Sequence, residues 1–506
     1  MKIAIIGGGP GGLLAGKLLK EADPSRTVEV YERGREEDVF GFGVVFSDAT
    51  LSYITEADET LDETLRDLGK HWSRIDVVAK GETHSFEGNG MSAVHRRDLL
   101  DRLRNSARSI GVDLMFEAER TIDDFPDYDL IVAADGTNSA ARQAVGEEVL
   151  GHTLDIASAK FIWFGTTKIF DGLTFLHRKS EHGNFAVHAY PISNELSTFI
   201  VEANEDAWRN AGLDEFDVTQ TPGPSDMKSK EYLETLFADE LDGGEIVVNN
   251  SRWSNFRGRA TKRWYKGNVV FLGDAIHTAH FSVGSGTKMA MEDAIALAAA
   301  INENPDNITQ ALVAYEEAAQ PRVNKVQKYA APSLAWWEHF ERYYDAFDPL
   351  TFTTHFFTRS IPLSKIAKRD PELATAATEA WLKEFGNDPI TSTISLGGFD
   401  FTGRVFQLNG EVLSQQEQNL DIQANGGAII DAPKETTDIP AVAENVKNAA
   451  FVVIRDGDPL NKRLLSEEIR LKHSIPTLLT FAADEFSDDI ANTEIISRRA
   501  DAIVRN

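Results

Sequence analysis

Near the amino terminus, Gly7-Gly8-Gly9-Pro10-Gly11-Gly12 carries the G-x-G-x-x-G spacing at Gly7, Gly9 and Gly12. Such a run cradles a pyrophosphate. Gly7 permits a tight turn out of a strand, Gly9 lets the backbone approach phosphate, and Gly12 lets the next helix pack closely on the sheet. The first amides of that helix, opened by Pro10 and Gly11, then face negative charge. Glu32 ends the strand-like run Val28-Glu29-Val30-Tyr31-Glu32, with Arg33 beside it. A carboxylate there accepts hydrogen bonds from ribose hydroxyls and disfavours a 2′-phosphate, which leaves FAD or NAD as the occupant.

Two later motifs separate these occupants. Asp135-Gly136 follows the apolar run at 130–134 and precedes Arg142, so its polar groups belong at the carboxyl edge of a sheet. Taken alone it reads equally well as an ordinary turn. Gly273-Asp274 closes a second apolar run, and Gly284-Ser285-Gly286-Thr287 opens another helix. A carboxylate at the strand end can hold ribityl hydroxyls, and a glycine-opened helix start can stabilise charge on a reduced flavin. NAD needs neither feature and FAD needs both. The expected cofactor is FAD.

The elements that must position these groups fall into an α/β pattern. A Rossmann-like FAD-binding domain is expected over 1–150 and 266–330, with strands at 3–6, 28–32 and 130–134 and a helix at about 12–21. Between its halves, residues 151–265 carry short strand-like runs (161–166, 184–190, 197–202) separated by turn residues, which predicts an inserted, mostly antiparallel substrate domain. A helical segment follows over 331–389. There Trp336, Phe340, Tyr343 and Phe347 recur at steps of three and four, the spacing of one packed helix face. Residues 390–506 form a small C-terminal α/β domain.

Composition narrows the partners. The chain of 506 residues has no cysteine, which removes disulfides, thiolate catalysis and cysteine-based metal sites from consideration. Scattered histidines among its twelve, such as His177, His182, His188, His277 and His280, lack ligand spacing, and no metal is expected. Against 80 acidic residues stand 51 basic ones, a net charge of −29 that repels phosphate backbones and anionic lipid. Neither nucleic acid nor membrane is an expected partner. The apolar start runs straight into glycines and reads as a strand, not a leader, so a cytoplasmic protein is expected. Arg252, Arg257, Arg259, Lys262 and Arg263 form one basic stretch that would suit an anionic substrate, though a solvated face reads as well.

Together these motifs resemble the single-component flavoprotein aromatic hydroxylases, the group of p-hydroxybenzoate hydroxylase, over roughly residues 1–385. The resemblance implies that Gly7, Gly9, Gly12 and Glu32 bind the ADP half of FAD and that Arg96, in His95-Arg96-Arg97-Asp98-Leu99-Leu100, contacts the flavin. It further implies that Asp135 and Gly136 serve flavin and nicotinamide together, and that Gly273 and Asp274 hold the ribityl chain. The family's usual proline before the last glycine pair is absent, and His280-Phe281 occupies that region. The runs 41–48, 197–202 and 278–288 are similar to a narrower branch that hydroxylates aryl-CoA thioesters (salicylyl-CoA or 2-aminobenzoyl-CoA) and, more distantly, the tryptophan ring. Fused members of that branch carry an Old Yellow Enzyme-type barrel. The tail resembles its two ends, with a first strand at 397–406 and last strands within 469–505. About 115 residues cannot close such a barrel, which typically needs about 250. A degenerate remnant is expected, with a small independent α/β module as the competing view.

The implied reaction is NADH- or NADPH-driven hydroxylation of an electron-rich ring with O₂. The protein would position the ring, exclude water and tune charge. His188, Tyr190 and His280 are candidate proton-handling residues, and Phe281, Arg257 and Arg259 candidate substrate contacts. No second G-x-G-x-x-G is present, so nicotinamide is expected to visit transiently. A hydroxylase of a free aromatic acid or an indole is the nearest alternative, and a non-catalytic flavin-binding scaffold the more distant one. No Trp-x-Trp-x-Ile segment supports a halogenase. A homodimer is expected.

Overall fold

In a computed structural model, the structure describes residues 1–39, 41–219 and 223–506. The chain divides into two compact units, Met1–Asp76 with Asn89–Glu338, and Val77–Gly88 with His339–Asn506.

The first unit opens with β1 (Lys2–Ile6), whose residues Ile3 to Ile6 are all buried, as a strand covered on both faces requires. Helix α1 (Pro10–Ala22) follows directly and buries Leu13, Leu14 and Leu19. Then come β2 (Thr27–Tyr31), β3 (Gly43–Ser47), β4 (Met91–His95), α2 (Arg96–Ser109), β5 (Asp113–Met115) and β6 (Leu130–Ala133). A run of antiparallel strands succeeds them: β7 (His152–Thr166), β8 (Leu173–Ser180), β9 (Gly183–Pro191), β10 (Ser197–Ala203) and β11 (Ser254–Thr261). Finally β12 (Val269–Phe271) leads to α3 (Gly286–Glu303) and the long α4 (Ile308–Ala346), inside which the division between units falls.

Two sheets organise this unit. In the first, β12, β6, β1, β2 and β5 lie side by side and parallel, with Tyr265–Lys266 at the edge. The chain thus returns to its first sheet through β12 after the antiparallel excursion. In the second, β7, β10, β9 and β8 are consecutive neighbours, with β11 paired to β7. Strand β7 starts at His152, earlier than the expected 161, and carries an irregularity between Ile156 and Lys160. That break in alternation hides its first half from a reading based on period two.

The second unit contains α5 (Pro349–Phe357), α6 (Pro371–Phe385), and the hairpin β13 (Ile394–Leu396) and β14 (Phe399–Phe401). Its main sheet uses β15 (Val405–Asn409), β16 (Val412–Gln415), β17 (Gln418–Asp421), β18 (Ala428–Ile430) and β19 (Val452–Ile454). After helix α7 (Pro459–His473) come β20 (Thr477–Phe481), helix α8 (Asp488–Ile496) and β21 (Ala502–Arg505). The sheet order is β17-β16-β15-β21-β20-β19-β18, with every pair from β15 to β18 parallel. It is an open sheet. The single first strand expected at 397–406 is instead a hairpin followed by β15. Gly397 and Gly398 both have positive φ (57° and 86°), which turns the chain back within two residues.

The aromatic stripe Trp336, Phe340, Tyr343 and Phe347 is buried, as its spacing requires. In the second unit, Glu467 on α7 gathers Arg342 (3.1 Å), His355 (3.1 Å) and Arg499 (3.6 Å), and accepts the Tyr343 hydroxyl. Burial alone would raise its carboxyl pKa, but His355, Arg342 and Arg499 hold it well below the usual range. Burial pushes His355 down to about 3. The start of α7 is held by Asp458, whose Oδ1 accepts from the amides of Leu460 (2.9 Å) and Asn461 (3.4 Å). Asp458→Ala is expected to cost about 1 kcal/mol, the usual worth of such a cap, read as a lowered unfolding midpoint.

Candidate active site

The predicted cofactor residues converge on the carboxyl edge of the parallel sheet. After β1 the chain turns at Gly7 (φ 114°), where a side chain would stand 2.2 Å from the Ala134 carbonyl oxygen. A Cβ on Gly12 would stand 2.1 Å from the Gly7 oxygen, so α1 approaches β1 only because both positions lack side chains. A Cβ on Gly11 would stand 2.8 Å from both Leu272 Cδ1 and the Ala290 carbonyl oxygen, which brings α1 against α3. Gly9 differs: nothing lies within 4 Å of where its Cβ would be. It caps α1 without any side-chain hydrogen bond, and Pro10 supplies the first helical residue. The free first-turn amides therefore open onto unfilled space.

Glu32 is fixed beside this turn. Its Oε2 accepts from the Gly8 amide and its Oε1 from the Gly34 amide, both at 2.9 Å. Arg33 points to solvent. Across the edge, Asp135 Oδ2 accepts from the Ala141 amide at 3.1 Å, while its buried Oδ1 has no hydrogen-bond partner. Gly136 (φ 77°) again has open space around its missing Cβ. Arg142, almost fully buried, donates to the carbonyls of Thr137 and Ala275 and so ties the Asp135 turn to the Gly273-Asp274 turn.

That second turn rests on Asp293 of α3. Asp293 Oδ2 accepts from the Gly273 amide (2.9 Å) and lies 2.6 Å from His277 Nε2. Asp274 is solvent-exposed although protein surrounds it, the mark of a group lining a cleft. The crowding raises its carboxyl pKa, against the opposing pull of His277, Arg96 and Arg259. Arg96 opens α2 and faces both Asp274 and Tyr190. Helix α3 starts at Gly286 and Thr287 behind Gly284 (φ 61°), again with no side-chain cap, and the buried Ser285 Oγ has no partner. Two uncapped helix starts, two orphaned buried oxygens and open space at Gly9, Gly136 and Gly286 suit an extended, phosphate-bearing cofactor. The donor set fits FAD.

Beside this cradle the antiparallel sheet presents an aromatic face. Residues directly opposite across antiparallel strands share a face. The registers Phe175↔His188, His188↔Ile200, Tyr190↔Thr198, Phe161↔Glu202 and Trp163↔Ile200 therefore put Phe161, Trp163, Phe175, His188, Tyr190 and Glu202 on one side. Phe281 lies on that side, with ring centroids 4.9 Å from Phe161, 5.4 Å from His188 and 4.2 Å from His280. Trp337 lies 4.2 Å from His188. A cavity of about 210 Å³ runs between the two regions, lined among others by Gly41, Gly43, Arg96, Phe161, Trp163 and Arg252.

The three proton-handling candidates are not equivalent. His188 and His280 converge on Glu202, a buried carboxylate that sequence reasoning placed in a strand without giving it a role. Tyr190 sits apart, its hydroxyl 3.5 Å from the Gly43 oxygen, and burial pushes its pKa up to about 12. It stays a neutral donor at ordinary pH. Arg259 is buried against Thr137 (3.1 Å) and His152 (3.1 Å), and Arg257 reaches Asn138 (3.2 Å). Both arginines thus sit by the 137–138 turn and not around Phe281. Among the described residues no group of carboxylates and histidines could hold a metal ion, and no helix is long and apolar enough to cross a membrane.

Comparison with known proteins agrees with this geometry. Residues 126–330 match the family model described as an FAD binding domain. The chain is 46% identical to salicyloyl-CoA 5-hydroxylase of Streptomyces sp, over 99% of each chain. It is 34% identical to 3-hydroxy-4-methyl-anthranilyl-[aryl-carrier protein] 5-monooxygenase of Streptosporangium sibiricum, over 66% of this chain and 89% of that one. Among solved structures, 2-methyl-3-hydroxypyridine-5-carboxylic acid oxygenase superposes with a TM-score of 0.54 at 20% identity, covering 71% of this chain and 98% of that one, a likeness of fold.

Proposed function

Since the chain belongs to the FAD-dependent aromatic-ring hydroxylases, we propose that it hydroxylates the ring of an aryl-CoA thioester, using a reduced nicotinamide and O₂. One observation carries the substrate class: the 46% identity to a salicyloyl-CoA hydroxylase runs through essentially the whole of both chains. The anthranilyl relative, also named for an aryl group borne on a carrier, supports it.

In this reading the amides of Gly9, Gly11 and Gly12 hold the pyrophosphate at the start of α1, which Pro10 opens without a donor of its own, and Glu32 takes the ribose. Asp135 and Gly136 line the opposite wall, and Gly273, Asp274 and Arg96 receive the ribityl chain. Gly284, Gly286 and Thr287 present the α3 start to the flavin ring. Bound there, FAD supplies the redox chemistry by which O₂ reacts with an aromatic ring. The chain's own contribution is placement and exclusion of water: Phe161, Trp163 and Phe281 enclose a flat apolar ring, and Trp337 backs His188. Arg257, exposed on β11, offers positive charge to an anionic carrier on an otherwise acidic protein, whereas Arg259 is buried and holds the Thr137 turn. His188 and His280 handle protons, and Tyr190, kept protonated, donates a hydrogen bond.

NADH oxidation measured with salicylyl-CoA, 2-aminobenzoyl-CoA, the corresponding free acids and tryptophan tests the proposal. At least one thioester is expected to stimulate oxidation well beyond its free acid, with formation of hydroxylated product. Stimulation by the free acids alone, or by tryptophan alone, would overturn the thioester reading.

A further inference from the structure

The aromatic face encloses a chain of polar groups that ring packing does not require. His188 Nε2 lies 2.6 Å from Glu202 Oε1, an ion-pair contact that is close in distance but out of line for a hydrogen bond until the ring turns. The other carboxylate oxygen, Oε2, lies 3.8 Å from His280 Nε2, and His280 Nδ1 lies 2.7 Å from Ser282 Oγ, itself 2.8 Å from Ser333 Oγ. His188, Glu202 and His280 are each at most 3% exposed. A buried carboxylate between two imidazoles costs desolvation, and packing alone would favour an apolar residue there. The cluster also touches the cavity wall: Phe161, which lines the cavity, is the cross-strand partner of Glu202, and Phe281 packs on both histidines.

We propose that Glu202 is the buried proton acceptor of this enzyme, working through His188, and that the ring it serves is a phenol. The proposal rests on the hydroxylase reading and names the ring donor within it. In the step, the substrate O–H bond breaks and its electron pair stays on oxygen, where it feeds the ring. The proton goes to the His188 imidazole, which releases its Nε2 proton to Glu202. No electron changes hands. A phenol becomes a much stronger donor on losing its proton, whereas an aromatic amine donates its lone pair without deprotonation, so an acceptor of this kind serves the first and not the second.

The surroundings poise the carboxyl for the task. Burial pushes Glu202 up to about 7, with His280 pulling it down and Glu338 of α4 pushing it up. His177 on β8 faces His188, and burial holds it neutral, with a pKa near about 3. Glu338 is half-buried and accepts from the Ser158 amide and hydroxyl.

The test compares wild type, Glu202→Gln and Glu202→Asp, each loaded with FAD, on salicylyl-CoA and 2-aminobenzoyl-CoA across pH. With the phenolic thioester, wild-type turnover is expected to rise through a midpoint near 7, as the acceptor deprotonates. Glu202→Gln is expected to lose that limb and roughly 100-fold in kcat, the ordinary worth of a positioned base, with the amine substrate changed far less. Glu202→Asp keeps the limb. A Glu202→Gln enzyme with wild-type pH profile and rate would overturn the proposal, and so would equal losses on both substrates. Should neither thioester stimulate the wild type, the substrate reading fails on its own, and infrared titration then judges the acceptor. A protonated carboxyl band lost near neutral pH, absent from Glu202→Gln and shifted in His188→Asn, supports it. A missing or unshifted band overturns it.

Discussion

Gly9→Val is expected to yield a folded protein that purifies without flavin. At this position φ is −77° and ψ 176°, an extended backbone open to any residue, and no atom lies within 4 Å of the missing Cβ. The added methyls start from open space and are expected to leave stability near that of the wild type. They fill the space through which the first amides of α1 reach a pyrophosphate. Losing two charge-assisted hydrogen bonds at about 1.5–3 kcal/mol each weakens FAD binding by roughly 100-fold or more. Gly12→Ala provides the contrast. Its methyl would collide with the Gly7 oxygen at 2.1 Å and press on Ala134, so α1 must lift from the sheet at a cost of about 1–3 kcal/mol. Both variants lose flavin absorbance, but only Gly12→Ala lowers the unfolding midpoint. If Gly9→Val retained flavin at wild-type occupancy, the cradle would be misassigned.

This contrast also marks what a sequence can disclose. Gly7 and Gly12 are legible because the protein itself leaves no room for a side chain there, whereas Gly9, open to any residue, is legible only by its place in the spacing. Glu32 and Asp274 are legible because each ends a buried strand at a fixed distance from such a turn. Arg142 was visible only as a neighbour of Asp135-Gly136, since its bond to the Ala275 carbonyl joins residues far apart in the chain. Glu202 lay in a strand correctly placed, yet its partners on β9 and beyond β12 depend on pairing register, which no local pattern encodes. In the tail, helices and strands from 452 onward follow from periodicity, whereas the single strand expected at 397–406 rested on the likeness to a barrel end, and Gly397-Gly398 turn a hairpin inside it.

Asp293→Ala is expected to be the most destabilising single substitution near the cradle. Asp293 is 1% exposed and sits inside an alanine-rich helix, one of 80 acidic residues with nothing local to distinguish it. Its carboxylate accepts the Gly273 amide and pairs with His277, itself 1% exposed, so one side chain supports the whole turn that presents Asp274. Removing one member of a buried ion pair and leaving the other costs about 3–5 kcal/mol, and the displaced turn loses flavin as well. Asp293→Asn separates charge from hydrogen bonding, because its amide oxygen still accepts from Gly273. Burial alone would lower the His277 pKa, but Asp293 and Asp274 raise it above its ordinary 6.5. Stability gained from a raised histidine is fully present below 6.5 and is lost as pH climbs through the folded value. The stability gap between wild type and Asp293→Asn is therefore expected to be widest in mildly acidic buffer and to narrow in alkaline buffer. Thermal unfolding of both proteins across that range checks it. A gap that stayed flat across that range would mean that His277 is neutral in the native protein and that Asp293 acts through the Gly273 amide alone.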